Sequence, residues 1–295
     1  MNTAKQVAFF GRSKEPEPAR ELLAAAGELA AGGAEVFFAD ELAEHCGRKA
    51  LANSGAAVLP EKEICHANLA FALGGDGTFL RTARHCAPLG IPLAGINLGT
   101  LGFLTDVSRG GMRGEIMEIC RGQRRMEKRF MLSAQVERDG KVLPEPGEAC
   151  ALNDMVVSRG EAGLLVEIRV CINQVFVYNL RADGLILATP SGSTAYALAA
   201  GGPIITPDLR AVLLAPLCAH ALTHRPLAVN SVRAEITLEI TKSRRARLHA
   251  DGQIGVSLAS GDVVRVRRHK KSLTICHPLS YDYYNTLRKK LSWGS

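Results

Sequence analysis

Three short stretches of this 295-residue chain group residue types that could handle phosphates, sugars or bases. The first is Leu73-Gly74-Gly75-Asp76-Gly77-Thr78, between the apolar run Asn68 to Leu73 and a helical pattern. Three glycines around one acid leave the backbone bare, so a ligand can approach it closely. A helix N-terminus beyond the turn offers unpaired N–H groups to an anion. At the carboxyl end of a parallel strand, Asp76 would stand where open α/β sheets hold their ligands. The same residues also describe a plain Asp-Gly turn. Neither a G-x-x-x-x-G-K-[ST] loop nor a G-x-G-x-x-G fingerprint occurs in the chain.

The second stretch is Asn153-Asp154, ahead of the apolar Met155-Val156-Val157. An adjacent amide and carboxylate offer donors and acceptors to a polyol or a base, or else make a structural turn. The third runs from Arg181 through Asp183-Gly184 and Thr189-Pro190-Ser191-Gly192-Ser193-Thr194-Ala195-Tyr196 to Gly201-Gly202-Pro203. Its pattern predicts a strand, a glycine turn and a short helix capped by Ser193 or Thr194 and ended at Gly201. So many small side chains suit close backbone approach, to a ligand or to another backbone. Asp251-Gly252-Gln253 is a further Asp-Gly turn, with Gln253 able to meet a ligand edge.

The elements that must position these residues fall into two textures. Over residues 1–123, apolar runs alternate with helical patterns, which predicts an α/β domain with a mostly parallel sheet. Strands are expected at 6–11, 34–39, 56–59, 68–73 and 91–97, and helices at 17–31, 41–52, 77–86 and 112–121. Over 124–276, short alternating segments between turn signals predict a β-rich, sandwich-like domain of two packed sheets. Arg233 to Thr241, Arg-Ala-Glu-Ile-Thr-Leu-Glu-Ile-Thr, alternates cleanly with period two. Residues 277–295 look helical again and are expected to return to the first domain. A cleft between the domains is a favoured place for a ligand.

Apolar residues at 47% and charged residues at 22% exclude wholesale disorder. No apolar run approaches a bilayer span, and the N-terminus lacks the form of a signal peptide, so a cytoplasmic protein with no membrane partner is expected. Only 5% of residues are aromatic, which fits poorly with stacking on single-stranded nucleic acid, and no nucleic-acid partner is expected. Eight cysteines without a C-x-x-C read as free thiols, and adjacent His-Cys pairs match no zinc module, so no protein-bound metal cage is expected. The net charge of +7 gathers in Lys242 to Arg247 and Arg265 to Lys271. These clusters read as a solvated strand edge, or as attraction for a phosphate-bearing substrate.

Taken in order, GGDGT, ALND, DGLILATPSGSTAYALAAGGP, HRPL at 224–227 and DGQ resemble the NAD kinase family. The resemblance implies transfer of a terminal phosphoryl group from ATP or polyphosphate to the 2′-hydroxyl of the adenosine ribose of NAD, with a divalent metal, Mg²⁺, carried on substrate phosphates. It implies that Asp76 is catalytic, aligning or deprotonating the hydroxyl. Gly74, Gly75, Gly77 and Thr78 would form the phosphate loop. The implied NAD site comprises Asp76, Gly77, Arg81, Asn153, Asp154, Arg181, Asp183, Thr194, Ala195, Tyr196, Ala197, Leu198, Ala199 and Gln253. A homodimer or homotetramer is also implied. Asp154 stands where many relatives carry Glu, and Ala197 and Ala199 where relatives often carry Ser. GGDG is shared with lipid kinases, so a diacylglycerol- or sphingosine-type kinase is one alternative, and a non-catalytic NAD-binding regulator is another.

Overall fold

The computed structural model describes residues 3–12, 16–99, 102–144, 148–160 and 164–293. The first strands are β1 (Gln6–Gly11), β2 (Glu35–Ala39), β3 (Ala57–Leu59), β4 (Leu69–Gly74) and β5 (Leu93–Asn97). They pair in the order β3-β2-β1-β4-β5, parallel throughout. Continuous apolar runs such as Val7-Ala8-Phe9-Phe10 are buried, as strands covered on both faces must be. Phe9 is in register with Phe38 and Phe71, and its ring lies 5.1 and 5.2 Å from theirs. Such ring pairs each add roughly 0.5–1.5 kcal/mol beyond the area they bury.

The helices are α1 (Pro16–Ala31), α2 (Asp40–Cys46), α3 (Arg48–Asn53), α4 (Asp76–Leu89) and α5 (Met112–Cys120). The single helix expected over 41–52 is two, because Gly47 sits between them at φ 83. Helix α4 begins at Asp76, one residue before the expected start, and ends at a left-handed Gly90.

The chain leaves this unit within β6 (Arg125–Arg138), followed by β7 (Lys141–Val142), β8 (Ala149–Ala151), β9 (Asp154–Ser158), β10 (Val166–Ile172), β11 (Val175–Ala182) and β12 (Gly184–Ala188). After the short α6 (Tyr196–Ala199) come β13 (Ala211–Leu217), β14 (Leu227–Asn230), β15 (Glu235–Lys242), β16 (Ala246–Ala250), β17 (Ile254–Leu258) and β18 (Val263–His277). Residues 129–271 form the second compact unit. One of its sheets orders β11-β10-β15-β18, with β6 also on β18, and the other orders β14-β13-β12-β9-β16-β17. Their inner faces share one core: Ile168, Leu238 and Val264 from the first sheet, Met155, Leu187 and Leu248 from the second. This is the predicted pair of packed sheets. Period-two alternation in β15 buries Ile236, Leu238 and Ile240.

Over Arg265 to Arg267 the second basic cluster is not a strand edge, since β18 pairs there with β15 and also has β6 as a neighbour. Arg265 is held by Glu137 at 2.7 Å and by Glu235 at 3.5 Å, and Arg268 lies over the Phe130 ring. Cross-strand acids and one ring therefore answer much of that charge.

Residues 272–295 belong to the first unit, where Ile275 of β18 stands in parallel register with Leu93 of β5. His277 is pinned there, with Nδ1 2.5 Å from Asp106 and its ring stacked at 3.8 Å on Tyr281. The last helix, α7 (Tyr283–Leu291), is capped by the Asp282 carboxylate, which accepts from the Asn285 N–H at 2.9 Å. All eight cysteines are free, four of them buried.

Candidate active-site residues of the two units

In the first unit, the ends of β4 and β5 lie side by side, Gly74 opposite Asn97. Gly74 takes φ +149, and a side chain there would meet Thr78 Oγ1 at 2.6 Å. Gly75 and Gly77 face open space. Asp76 opens α4, where a negative charge is favoured by the helix dipole. Its carboxylate oxygens accept backbone N–H bonds from Phe103 at 3.0 Å and Leu104 at 3.2 Å. The close approach requires Gly102, where a Cβ would lie 2.2 Å from Asp76 Oδ1 and 2.3 Å from Thr105 Oγ1. Segment 102–104 is thus part of the site, and the sequence reading missed it. Its donors are main-chain groups 27 and 28 residues from Asp76, so no side-chain type marks them. The only visible signal is the spacing of Asn97, Gly99 and Gly102 after a strand.

Arg81, one turn into α4, pairs with Glu41 at 2.5 Å, and Glu41 also takes Arg12. Burial pushes the Glu41 carboxyl up, but the two guanidinium groups outweigh it and hold it below its ordinary range. Thr78 and Gly77 sit in the first turn of the same helix.

In the second unit, antiparallel register brings three turns together. Asp154, the first residue of β9, lies opposite Ala188 at the end of β12, and Met155 lies opposite Ala250 at the end of β16. The turns after Ala188 and after Ala250 therefore both reach Asn153-Asp154. The buried Asp251 carboxylate accepts the backbone N–H groups of Leu152 at 3.0 Å, Asn153 at 2.8 Å and Asp154 at 3.3 Å. Asp251 is a shaping residue that the sequence reading took for a turn alone. Thr189 ties the other turn in, its hydroxyl donating to the Leu152 carbonyl at 2.6 Å and its N–H to the Asn153 carbonyl at 2.8 Å. Buried Arg129 donates to Ser191 Oγ at 2.9 Å, a contact from 62 residues away that no local pattern announces.

Asn153 Oδ1 is buried and has no hydrogen-bond partner. A buried acceptor left unmade costs roughly 1–3 kcal/mol, so such an atom marks a place a donor would fill. Beside it, the buried Asp154 carboxyl is pushed up to about 7, first by burial and then by the Asp251 charge.

The predicted cap is different. The turn Ser191–Thr194 is a 3-10 helix, and α6 starts at Tyr196 with no side-chain cap. The Ser193 hydroxyl instead donates to the Pro190 carbonyl at 2.6 Å and accepts the Ile205 N–H at 2.9 Å. Tyr196 and Ala199 are exposed, and Thr194, Ala195 and Leu198 half-buried. Ala197 is fully buried among Ile186, Ala188 and Leu213, so its methyl belongs to the core. Gln253 is exposed in the turn that Asp251 begins.

Arg181 and Asp183 are not brought to this place within the unit. They precede β12, whose first residue lies opposite Ser158 at the far end of β9. At about 3.4 Å per residue, four residue steps separate them from Asn153 and Asp154 by roughly 14 Å or more. Asp183 pairs there with Arg159 at 3.1 Å, and Arg181 is exposed. Among the described residues, no group of three or more His, Cys, Asp or Glu could hold a metal ion, and no helix is long and apolar enough to cross a membrane.

Comparison with known proteins accounts for both units. The ATP-NAD kinase N-terminal domain model matches residues 20–123, and the ATP-NAD kinase C-terminal domain model matches 152–277. An NAD kinase of Chromobacterium violaceum is 41% identical over 293 residues, covering 98% of this chain and 97% of the relative. The structure of yeast NADH kinase complexed with NADH superposes with TM-score 0.88 at 25% identity, covering 100% of this chain and 89% of that one. An NAD kinase from Archaeoglobus fulgidus in complex with ATP shares the fold, with TM-score 0.76 at 24% identity over 98% of this chain and 100% of that one.

Proposed function

The chain belongs to the NAD kinase family, and from that premise we propose that it transfers the terminal phosphoryl group of ATP to the 2′-hydroxyl of the adenosine ribose of NAD, giving NADP. The observation that carries this reading is the Asp76 carboxylate, fixed by two main-chain amides beside a bare glycine turn.

Phosphoryl transfer asks the protein for positioning and charge stabilisation rather than covalent chemistry. With both oxygens anchored, Asp76 holds one orientation and accepts the hydrogen of the attacking hydroxyl, help worth roughly 10²–10⁴-fold in such reactions. Gly74, Gly75, Gly77 and Thr78 leave main-chain room for phosphates. Arg81 meets a phosphate by exchanging its bond to Glu41. A divalent ion, Mg²⁺, supplies charge neutralisation on the transferring phosphate. The donor set fits an ion that arrives with the triphosphate, because Asp76 is a single carboxylate whose oxygens are already engaged by amides.

In the second unit, Asn153 Oδ1 and Asp154 receive donors of the NAD adenosine, with Thr194 to Ala199 and Gln253 alongside. The second unit, 129–271 within the expected 124–276, thus serves as the NAD-binding domain, and the first unit carries the glycine turn. Arg181 and Asp183 are out of reach of the same adenosine within one unit, and a homo-oligomer supplies the second copy to which they contribute. Polyphosphate as an alternative donor and a cytoplasmic location complete the reading.

The test is NADP formation by purified protein given NAD, Mg²⁺ and ATP or polyphosphate, coupled to an NADP-specific dehydrogenase. NADP is expected with ATP. No NADP with either donor, or phosphorylation of diacylglycerol vesicles instead, overturns the reading.

A further inference from the structure

The first basic cluster, Lys242 to Arg247, has no part in the chemistry above, yet its Ser243, Arg244, Arg245 and Arg247 form one wall of a cavity of about 730 Å³ in the second unit. Its floor is the hairpin β16–β17, where Arg247 stands opposite Ser257 and Ala246 opposite Leu258. Four of its ten lining residues are arginines (138, 244, 245 and 247) and none is acidic. The Arg138 charge is met by Asp262, which takes its Nε and Nη2 at 2.8 Å each. Arg244 and Arg247 are exposed and form no ion pair with the described residues.

The turn that presents them is held by side-chain hydrogen bonds. Ser243 Oγ accepts the N–H groups of Arg245 at 3.2 Å and Ala246 at 2.7 Å. Ser260 Oγ accepts the Ser243 N–H at 2.9 Å and donates to its carbonyl at 3.2 Å. Gly160 lies so close that a Cβ there would fall 1.7 Å from the Arg245 carbonyl oxygen. A solvated cationic loop needs none of this bracing.

We propose that this cavity is a binding site for a small anion carrying two or more linked phosphate groups, separate from the NAD residues of the same unit. The guanidinium fork matches phosphate oxygens with paired N–H bonds, which a diffuse lysine patch does not. The volume lies within the range of small-molecule sites. The place is distinct: the cavity lies at the Ala246 end of β16 and Asp251 follows the Ala250 end, roughly 14 Å along the strand. Two sources share this chemistry, inorganic oligophosphate and the phosphate tail of a nucleotide.

Hydrogen–deuterium exchange on the full chain at low ionic strength, with inorganic triphosphate, ATP or NADP in separate arms, tests the site. Triphosphate is expected to protect amides 244–247 and 255–258. Equal protection by ATP or NADP identifies nucleotide tails as ligands, and protection by triphosphate alone identifies inorganic oligophosphate. Arg244→Ala/Arg247→Ala should weaken this protection roughly tenfold or more in midpoint concentration, with NADP formation and melting temperature unchanged. The double Lys variant should retain part of it. No protection there at millimolar triphosphate, or the same midpoint in the double Ala variant, overturns the proposal.

Discussion

Asp251 grips the Asp154 main chain from both sides: its N–H donates to the Asp154 carbonyl at 3.0 Å, and its side-chain Oδ1 accepts the Asp154 N–H at 3.3 Å. Two buried acids thus share one small volume. One of them, Asp154, has its carboxyl pushed to about 7.

That shift has a definite sign. A carboxyl raised in the folded state costs no stability below its ordinary pKa of 3.8, costs progressively more as pH rises from there, and costs most above about 7. Asp154→Asn should therefore melt close to the parent at pH ~4 and higher than the parent at pH ~8, with about 4 kcal/mol as the ceiling of the gain. Thermal melts at both pH values check it. An equal change at both would show that Asp154 is not protonated by its surroundings.

Asp251→Ala leaves three buried N–H groups, on Leu152, Asn153 and Asp154, without their acceptor. A loss of about 2 kcal/mol or more is expected. The Asn153-Asp154 turn should loosen with it, raising KM for NAD more than it lowers kcat. Denaturant unfolding together with initial-rate kinetics checks both parts.

Gly102→Ala places a methyl group against Asp76 Oδ1 and Thr105 Oγ1. Overpacking of this kind costs about 1–3 kcal/mol, and a displaced catalytic carboxylate can cost roughly 10²-fold in rate. The expected signature is a kcat loss larger than the change in NAD affinity, read from steady-state rates and a binding titration.

His277 shifts in the same direction as Asp154 but for a different reason. Burial pulls its pKa down, but Asp106 and Glu127 outweigh that and raise it. Its contribution is therefore whole below the ordinary imidazole pKa of 6.5 and is lost as pH rises through the folded value. His277→Gln should lower the melting temperature more at pH ~6 than at pH ~10, and a pH series of melts would show it. Because His277 anchors the returning strand, limited proteolysis should find residues 278–293 more exposed in the variant.

Much of the fold was legible because the parallel strands are uninterrupted apolar runs; β1 was expected over the residues it occupies, Gln6 to Gly11. The long strands were harder. β18 runs on through Arg265 to Lys271, where charged side chains hide the period and are answered by partners such as Glu137, 128 positions away. The candidate site was legible where its chemistry resides in side-chain types, as at Asp76 and Asn153. It was illegible where the work falls to register or to main-chain groups. Asp251 gains its role because β16 pairs with β9, about a hundred residues earlier, and Phe103 and Leu104 act through amides that every residue type carries.

The central claim is that the carboxylate of Asp76 positions the ribose hydroxyl. Asp76→Asn keeps the shape of the side chain and removes the charge, so single-turnover NADP formation should fall roughly 10²-fold or more while the Kd for NAD stays within a few-fold of the parent. NADP made at the parental rate by this variant would contradict the account.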